Sequence, residues 1–222
     1  MARLVLIPSP FVGGSSWAPT AAVLPDALVA GYGGVCGPAW YEGVADRVCA
    51  QADGRPWIAV LHSGAGGFAP ALAAASADLA GFIFADAVLP YPGRSNLATA
   101  PEAFADELRR LTTDGLLAPW DQWFAGGFLE HLIPDAATRA AFVADIPRVP
   151  FAFLEAVAPD DGTWAERPCA YLQLSRTYAG TADRAEAMGW PVRRERMHHL
   201  AMTTAPREVA ALLLELVGRL DG

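Results

Sequence analysis

Short, unbroken apolar runs alternate along this chain with segments whose apolar positions recur every three to four residues. The runs at 4–7, 56–61 and 81–90, and later at 169–174 and 190–194, have strand length and predict strands buried on both faces. A weaker run at 28–35 is diluted by Gly31, Gly33 and Gly34. Between the runs the spacing predicts helices. One is capped by Ser15 or Ser16 and extends to about residue 30, a second covers 41–52 with Val44, Val48 and Cys49 on one face, and others cover 66–79 and 181–188. An amphipathic helix over 206–220, with Pro206 in its first turn, closes the chain. This repetition predicts a mostly parallel sheet flanked by helices, and open parallel sheets collect their chemistry beyond the carboxyl ends of the strands. Ser9, Ser63 and Asp86 all fall there.

The alternation lapses over residues 91–167. Helical segments at 102–111, 119–124 and 136–145, followed by an aromatic stretch at 151–155, read as a helical cap inserted into a single domain whose core is 1–90 and 168–222. Trp120, Trp123, Phe124 and Trp164 either pack this cap onto the core or line an apolar pocket.

With 222 residues the chain is long enough for one sizeable core, and no Ser- or Pro-rich linker divides it. The 53% hydrophobic and 18% charged content suits a sheet covered on both faces. A formal charge of −8 repels phosphate backbones and anionic lipid, which argues against nucleic-acid and membrane partners and for a small-molecule substrate. The opening apolar run is too short for a signal sequence, and no run reaches membrane-spanning length. Cys36, Cys49 and Cys169 lack metal-ligand spacing and are expected as reduced thiols of a cytoplasmic protein. Neither a cofactor nor a metal is implied, and the oligomeric state is left open.

The stretch from Pro56 to Gly67 ends an apolar run on a serine and turns at once into glycine and alanine. Strand, sharp turn and helix in this order present a serine hydroxyl at the head of the sheet, provided the neighbours are small enough for the helix to approach the strand. Gly64, Ala65, Gly66 and Gly67 meet that condition around Ser63, although Leu61 stands where G-x-S-x-G has its first glycine. The alternative is a buried strand whose Ser63 merely caps a helix. A serine needs a base, and histidine is the usual one. Strand alternation directs His62 away from the Ser63 hydroxyl, His131 lies in the cap, and His198 and His199 sit in the loop after the last strand.

These residues resemble the α/β-hydrolase superfamily, in particular its small actinobacterial-type members. The resemblance covers nearly the whole chain and rests on Ile7-Pro8-Ser9-Pro10 with Trp17, His62-Ser63-Gly64-Ala65-Gly66, Phe84-Ala85-Asp86-Ala87, Gly189-Trp190-Pro191-Val192 and His199-Leu200 with Met202. It implies the α/β-hydrolase fold, a Ser63 nucleophile and a His199 base, His199 being favoured over His198 because the His-Leu-x-Met pattern falls on it. The loop after the penultimate strand, 175–178, where the superfamily normally keeps its acid, has no carboxylate. Asp86 is then the expected acid, with Asp183, Glu155 and Asp160 as alternatives. In the oxyanion loop, Pro10 occupies the position whose N–H the superfamily uses, and proline has none. The expected donors are Gly64 N–H with Phe11 or Val12 N–H, or the Ser9 hydroxyl, and Trp123 joins them as a candidate substrate contact. The expected activity is cleavage of a small, fairly apolar ester or thioester through an acyl-enzyme. A non-hydrolytic step of small-molecule (natural-product) biosynthesis, such as cyclisation, C–C bond formation or lyase chemistry, is the alternative, and a catalytically silent binding protein is the third reading.

Overall fold

The computed structural model describes residues 2–33, 37–124 and 126–220. Cys36 and the end of the weak 28–35 run lie outside these residues. In chain order the strands among the described residues are β1 (Arg3–Ile7), β2 (Leu28–Val29), β3 (Trp57–His62), β4 (Leu79–Ala85), β5 (Thr112–Thr113), β6 (Leu116–Leu117), β7 (Cys169–Gln173) and β8 (Val192–Arg194). Six of them form one sheet in the order β2-β1-β3-β4-β7-β8, with every neighbouring pair parallel. The apolar runs are unbroken because both faces are covered. On one face Val5, Ile7, Ala59, Leu61, Phe82 and Phe84 pack with Val44, Val48, Phe68 and Leu72; on the other Leu4, Leu6, Ile58, Val60 and Ile83 pack with Trp17, Leu200, Val209, Leu213 and Leu216.

The helices fit their predicted places with differences at the ends. Helices Trp40–Gln51, Ala179–Ala187 and Pro206–Leu220 match the sequence pattern. The expected helix from Ser15 to residue 30 is only a 3₁₀ turn, Gly14–Ser16, and one turn of α-helix, Ala18–Ala21. The chain must straighten by Leu28 to pair with Val5 in β1, and this ends it early. The helix after Ser63 opens as a 3₁₀ segment, Ser63–Phe68, before its α-helical part, Ala69–Ala75.

The stretch between β4 and β7 adds no strand to the main sheet. It carries helices Asn96–Thr99, Glu102–Arg110, Phe128–Leu132, Ala136–Ala144 and Phe151–Glu155, and a 3₁₀ turn at Trp120–Gln122. It also holds the antiparallel β5–β6 hairpin, turned by Asp114 and Gly115 at φ 52° and 74°. That Asp-Gly pair, left-handed at both positions, is the usual sequence mark of a two-residue hairpin turn. No helix among the described residues is long and apolar enough to cross a membrane.

β1 and β3 are neighbours, while the chain leaves β1 toward β2 on its other side. A crevice forms where successive connections diverge in this way. The loops after β1, β3 and β4 open beside it.

Candidate active site

Ser63 follows the last residue of β3 and has φ 54°, a left-handed conformation that a residue with a side chain rarely adopts. Its carbonyl accepts the Val88 N–H at 3.0 Å, tying the turn to the loop after β4. The small residues that follow are required by that loop: a Cβ on Gly66 would collide with the Val88 carbonyl oxygen, and one on Gly67 with the Tyr91 hydroxyl. Leu61, where a glycine is usual, is wholly buried in the same core cluster as Ala65, Phe68 and Ala69.

Asp86 directly follows β4, is also left-handed at φ 46°, and is fully buried. Its carboxylate is saturated with donors. Oδ1 accepts the Leu174 and Ser175 N–H groups, each at 2.9 Å, and Oδ2 accepts the Ser175 hydroxyl at 2.6 Å. His199 Nδ1 lies 2.8 Å from Oδ2. A buried carboxylate is tolerable only when hydrogen-bonded in this manner. The loop after β7 that has no carboxylate of its own is therefore the cradle for one supplied by β4. Asp183 is engaged elsewhere, 2.9 Å from Arg194 on the surface.

A carboxylate at this distance favours the His199 tautomer that carries its proton on Nδ1, with the Nε2 lone pair free. His62 Nε2–H donates to the His199 carbonyl at 3.0 Å, its ring lying 4.5 Å from that of His199 and edge-on to Trp17. Burial, and secondarily the neighbouring His199, holds the His62 pKa well below the usual histidine value, so His62 is a neutral buttress. His198 turns the other way: Nδ1 accepts the Leu200 N–H at 3.2 Å and Nε2 pairs with Thr204 Oγ1 at 2.9 Å, around the short helix Ala201–Thr204.

The hydrogen bond of Ser63 Oγ goes to Tyr178 Oη, at 3.3 Å, rather than to the imidazole. The Tyr178 ring also stacks on His199, with centroids 5.2 Å apart and planes 9° from parallel. No sequence motif marks Tyr178 or Ser175, because their partners Ser63 and Asp86 lie far off in the chain.

In the loop after β1, the Val12 N–H donates to the Ser9 carbonyl at 3.1 Å, closing a tight turn. The Phe11 N–H points at Ser9 Oγ over 3.4 Å, so that hydroxyl acts there as an acceptor. Pro10 and the Phe11 ring close on Gly64, 3.2 Å from where a Cβ would lie. The Gly64 N–H is in the first turn of the 3₁₀ segment, where amides lack intrahelical partners. Trp123 packs on Phe11 with ring centroids 5.0 Å apart and anchors its indole N–H on the Ala118 carbonyl at 2.7 Å. A cavity of about 280 Å³ lies beyond Pro10, lined by Val12, Tyr32, Trp40, Phe68 and Phe153, and neither Ser63 nor His199 lines it. Among the described residues no group of three or more His, Cys, Asp or Glu could hold a metal ion.

No protein-family model matches the sequence, and no curated protein is similar to it. Solved structures are similar. An extracellular α/β-hydrolase from a Paenibacillus species superposes with a TM-score of 0.74 at 19% identity, covering 97% of this chain and 99% of its own. A tomato methylketone synthase I variant complexed with β-ketoheptanoate gives 0.73 at 13% identity, covering 98% of each. A pyrethroid hydrolase from Sphingobium faniae gives 0.69 at 18% identity, covering 96% of each. At these identities the likeness is one of fold, extending over nearly the whole chain.

Proposed function

We propose that this chain, which has the α/β-hydrolase fold, is a serine-dependent hydrolase of small, fairly apolar esters or thioesters. The observation that carries the reading is the buried Asp86 carboxylate held against His199 Nδ1 at 2.8 Å beside a serine on a left-handed turn. An inert scaffold has no need to bury a charge for the sake of one imidazole tautomer.

In the reaction Ser63 Oγ turns from Tyr178 toward His199, whose Nε2 takes its proton as Oγ attacks the acyl carbon. Asp86 steadies the imidazolium. His199 then protonates the leaving oxygen or sulfur, and water attacks the acyl-enzyme with His199 again as base. Phe11, Trp123 and Phe153, whose rings cluster beside Gly64, suit an apolar acyl group. The esterase and hydrolase names among structurally similar proteins agree with this chemistry.

A second reading, a non-hydrolytic step in small-molecule biosynthesis, is favoured by Pro10 and by the committed Val12 amide, which weaken the usual oxyanion site. Incubation with a fluorophosphonate, peptide mapping and assay of activated esters separate the two. The hydrolase reading expects label on Ser63 and loss of ester turnover in Ser63→Ala with the fold retained. Labelling without ester turnover in the wild type favours the second reading, and label on another residue removes Ser63 from its role.

A further inference from the structure

The oxyanion site as described draws one amide from the first turn after β3, that of Gly64, and has a proline where a second donor is usual. Two hydrogen-bond donors from the protein normally converge on a developing oxyanion, and loss of one costs on the order of 100-fold or more in rate. We propose that the Tyr178 hydroxyl is a catalytic donor that takes the place of the amide Pro10 lacks. This rests on the reading of Ser63 as nucleophile.

Three features converge on Tyr178. Its Oη is 3.3 Å from Ser63 Oγ. The oxyanion is bonded to the same carbon as Oγ once attack has occurred, so a donor that reaches Oγ reaches the oxyanion with a small shift. Its ring lies parallel to that of His199, which restrains the plane in which the hydroxyl oxygen sits. Burial pushes its pKa up to about 12, which keeps the proton on Oη at neutral pH. The alternative donors are compromised: Val12 N–H is used in its own turn, and Phe11 N–H faces Ser9 Oγ.

The atoms balance without transfer of the tyrosine proton. As the Ser63 Oγ–carbon bond forms, the carbonyl π pair moves onto oxygen and the serine proton passes to His199 Nε2. Tyr178 Oη–H donates to the oxyanion and keeps its proton. When the carbonyl re-forms, the leaving atom departs with the proton from His199.

Tyr178→Phe preserves the stacked ring and removes only the donor. With p-nitrophenyl butyrate it should lower kcat by about 100-fold or more while KM changes by less than about threefold. The acid limb of the kcat/KM pH profile, which reports the base, should stay in place. Adding Pro10→Ala to Tyr178→Phe, which returns an N–H to the loop, should recover at least about tenfold of the lost kcat. A Tyr178→Phe protein with kcat within about threefold of wild type, or one whose only change is a displaced acid limb, overturns the proposal. Fluorophosphonate labelling of the same proteins separates the two levels: a wild type unlabelled at Ser63 removes both readings, whereas a labelled wild type with an unimpaired Tyr178→Phe removes the Tyr178 role alone.

Discussion

The polar residues at this site constrain one another: Tyr178 Oη meets Ser63 Oγ while its ring stacks on His199, and His199 in turn meets Asp86. Asp86 is useful because Leu174, Ser175 and His199 consume its lone pairs while the surrounding core excludes water. Asp86→Asn presents an amide to donors that expect an acceptor and leaves His199 free to adopt the wrong tautomer. Turnover should fall by roughly 10³ to 10⁴ with little change in KM, measured by steady-state kinetics. His199→Gln should fall at least as far, and His198→Gln, which loses only contacts around its own short helix, should stay within about threefold of wild type. Equal losses from the two histidine variants would contradict the assignment.

At the scale of elements, the elbow is set by the loop after β4 as much as by β3. Gly66 and Gly67 touch Val88 and Tyr91 across that contact, so their smallness answers a packing demand 20 or more positions downstream in the chain. Gly66→Ala should cost about 1–3 kcal/mol in urea-induced unfolding, because backbone rather than a flexible side chain must move. Gly218→Ala is the matched control. It lies within helix Pro206–Leu220 with open space where its Cβ would go, and should gain up to about 1 kcal/mol from helix propensity. If both substitutions have the same sign, the contact with Val88 is not limiting. The β5–β6 hairpin belongs at this scale too: its Asp114-Gly115 turn is written in the sequence, but with only two residues per strand no alternating pattern flanks it.

For the whole molecule, burying His62 neutral couples folding to pH. Its pKa is depressed in the folded protein, so below the ordinary value of about 6.5 the unfolded chain binds the extra proton and gains on the folded one. Stability is fully present above that pH and declines as pH falls, by up to about 1.4 kcal/mol per unit, until the depressed value is reached. His198, lowered in the same direction, contributes to both wild type and variant. The difference between wild type and His62→Gln in urea unfolding at pH 7.5 and pH 5 isolates His62, and identical slopes in the two proteins would refute its part. Local patterns were enough to determine a mostly parallel sheet flanked by helices, since burial on two faces leaves its mark on neighbouring residues. The partnerships were decided only in three dimensions. That Ser175 cradles Asp86, that His62 supports His199 from behind, and that Tyr178 reaches Ser63 across 115 positions depend on which strand ends lie side by side. A strand records in its sequence that it is buried, but hydrogen bonds between loops of different strands have no period along the chain and follow only from the order of the sheet.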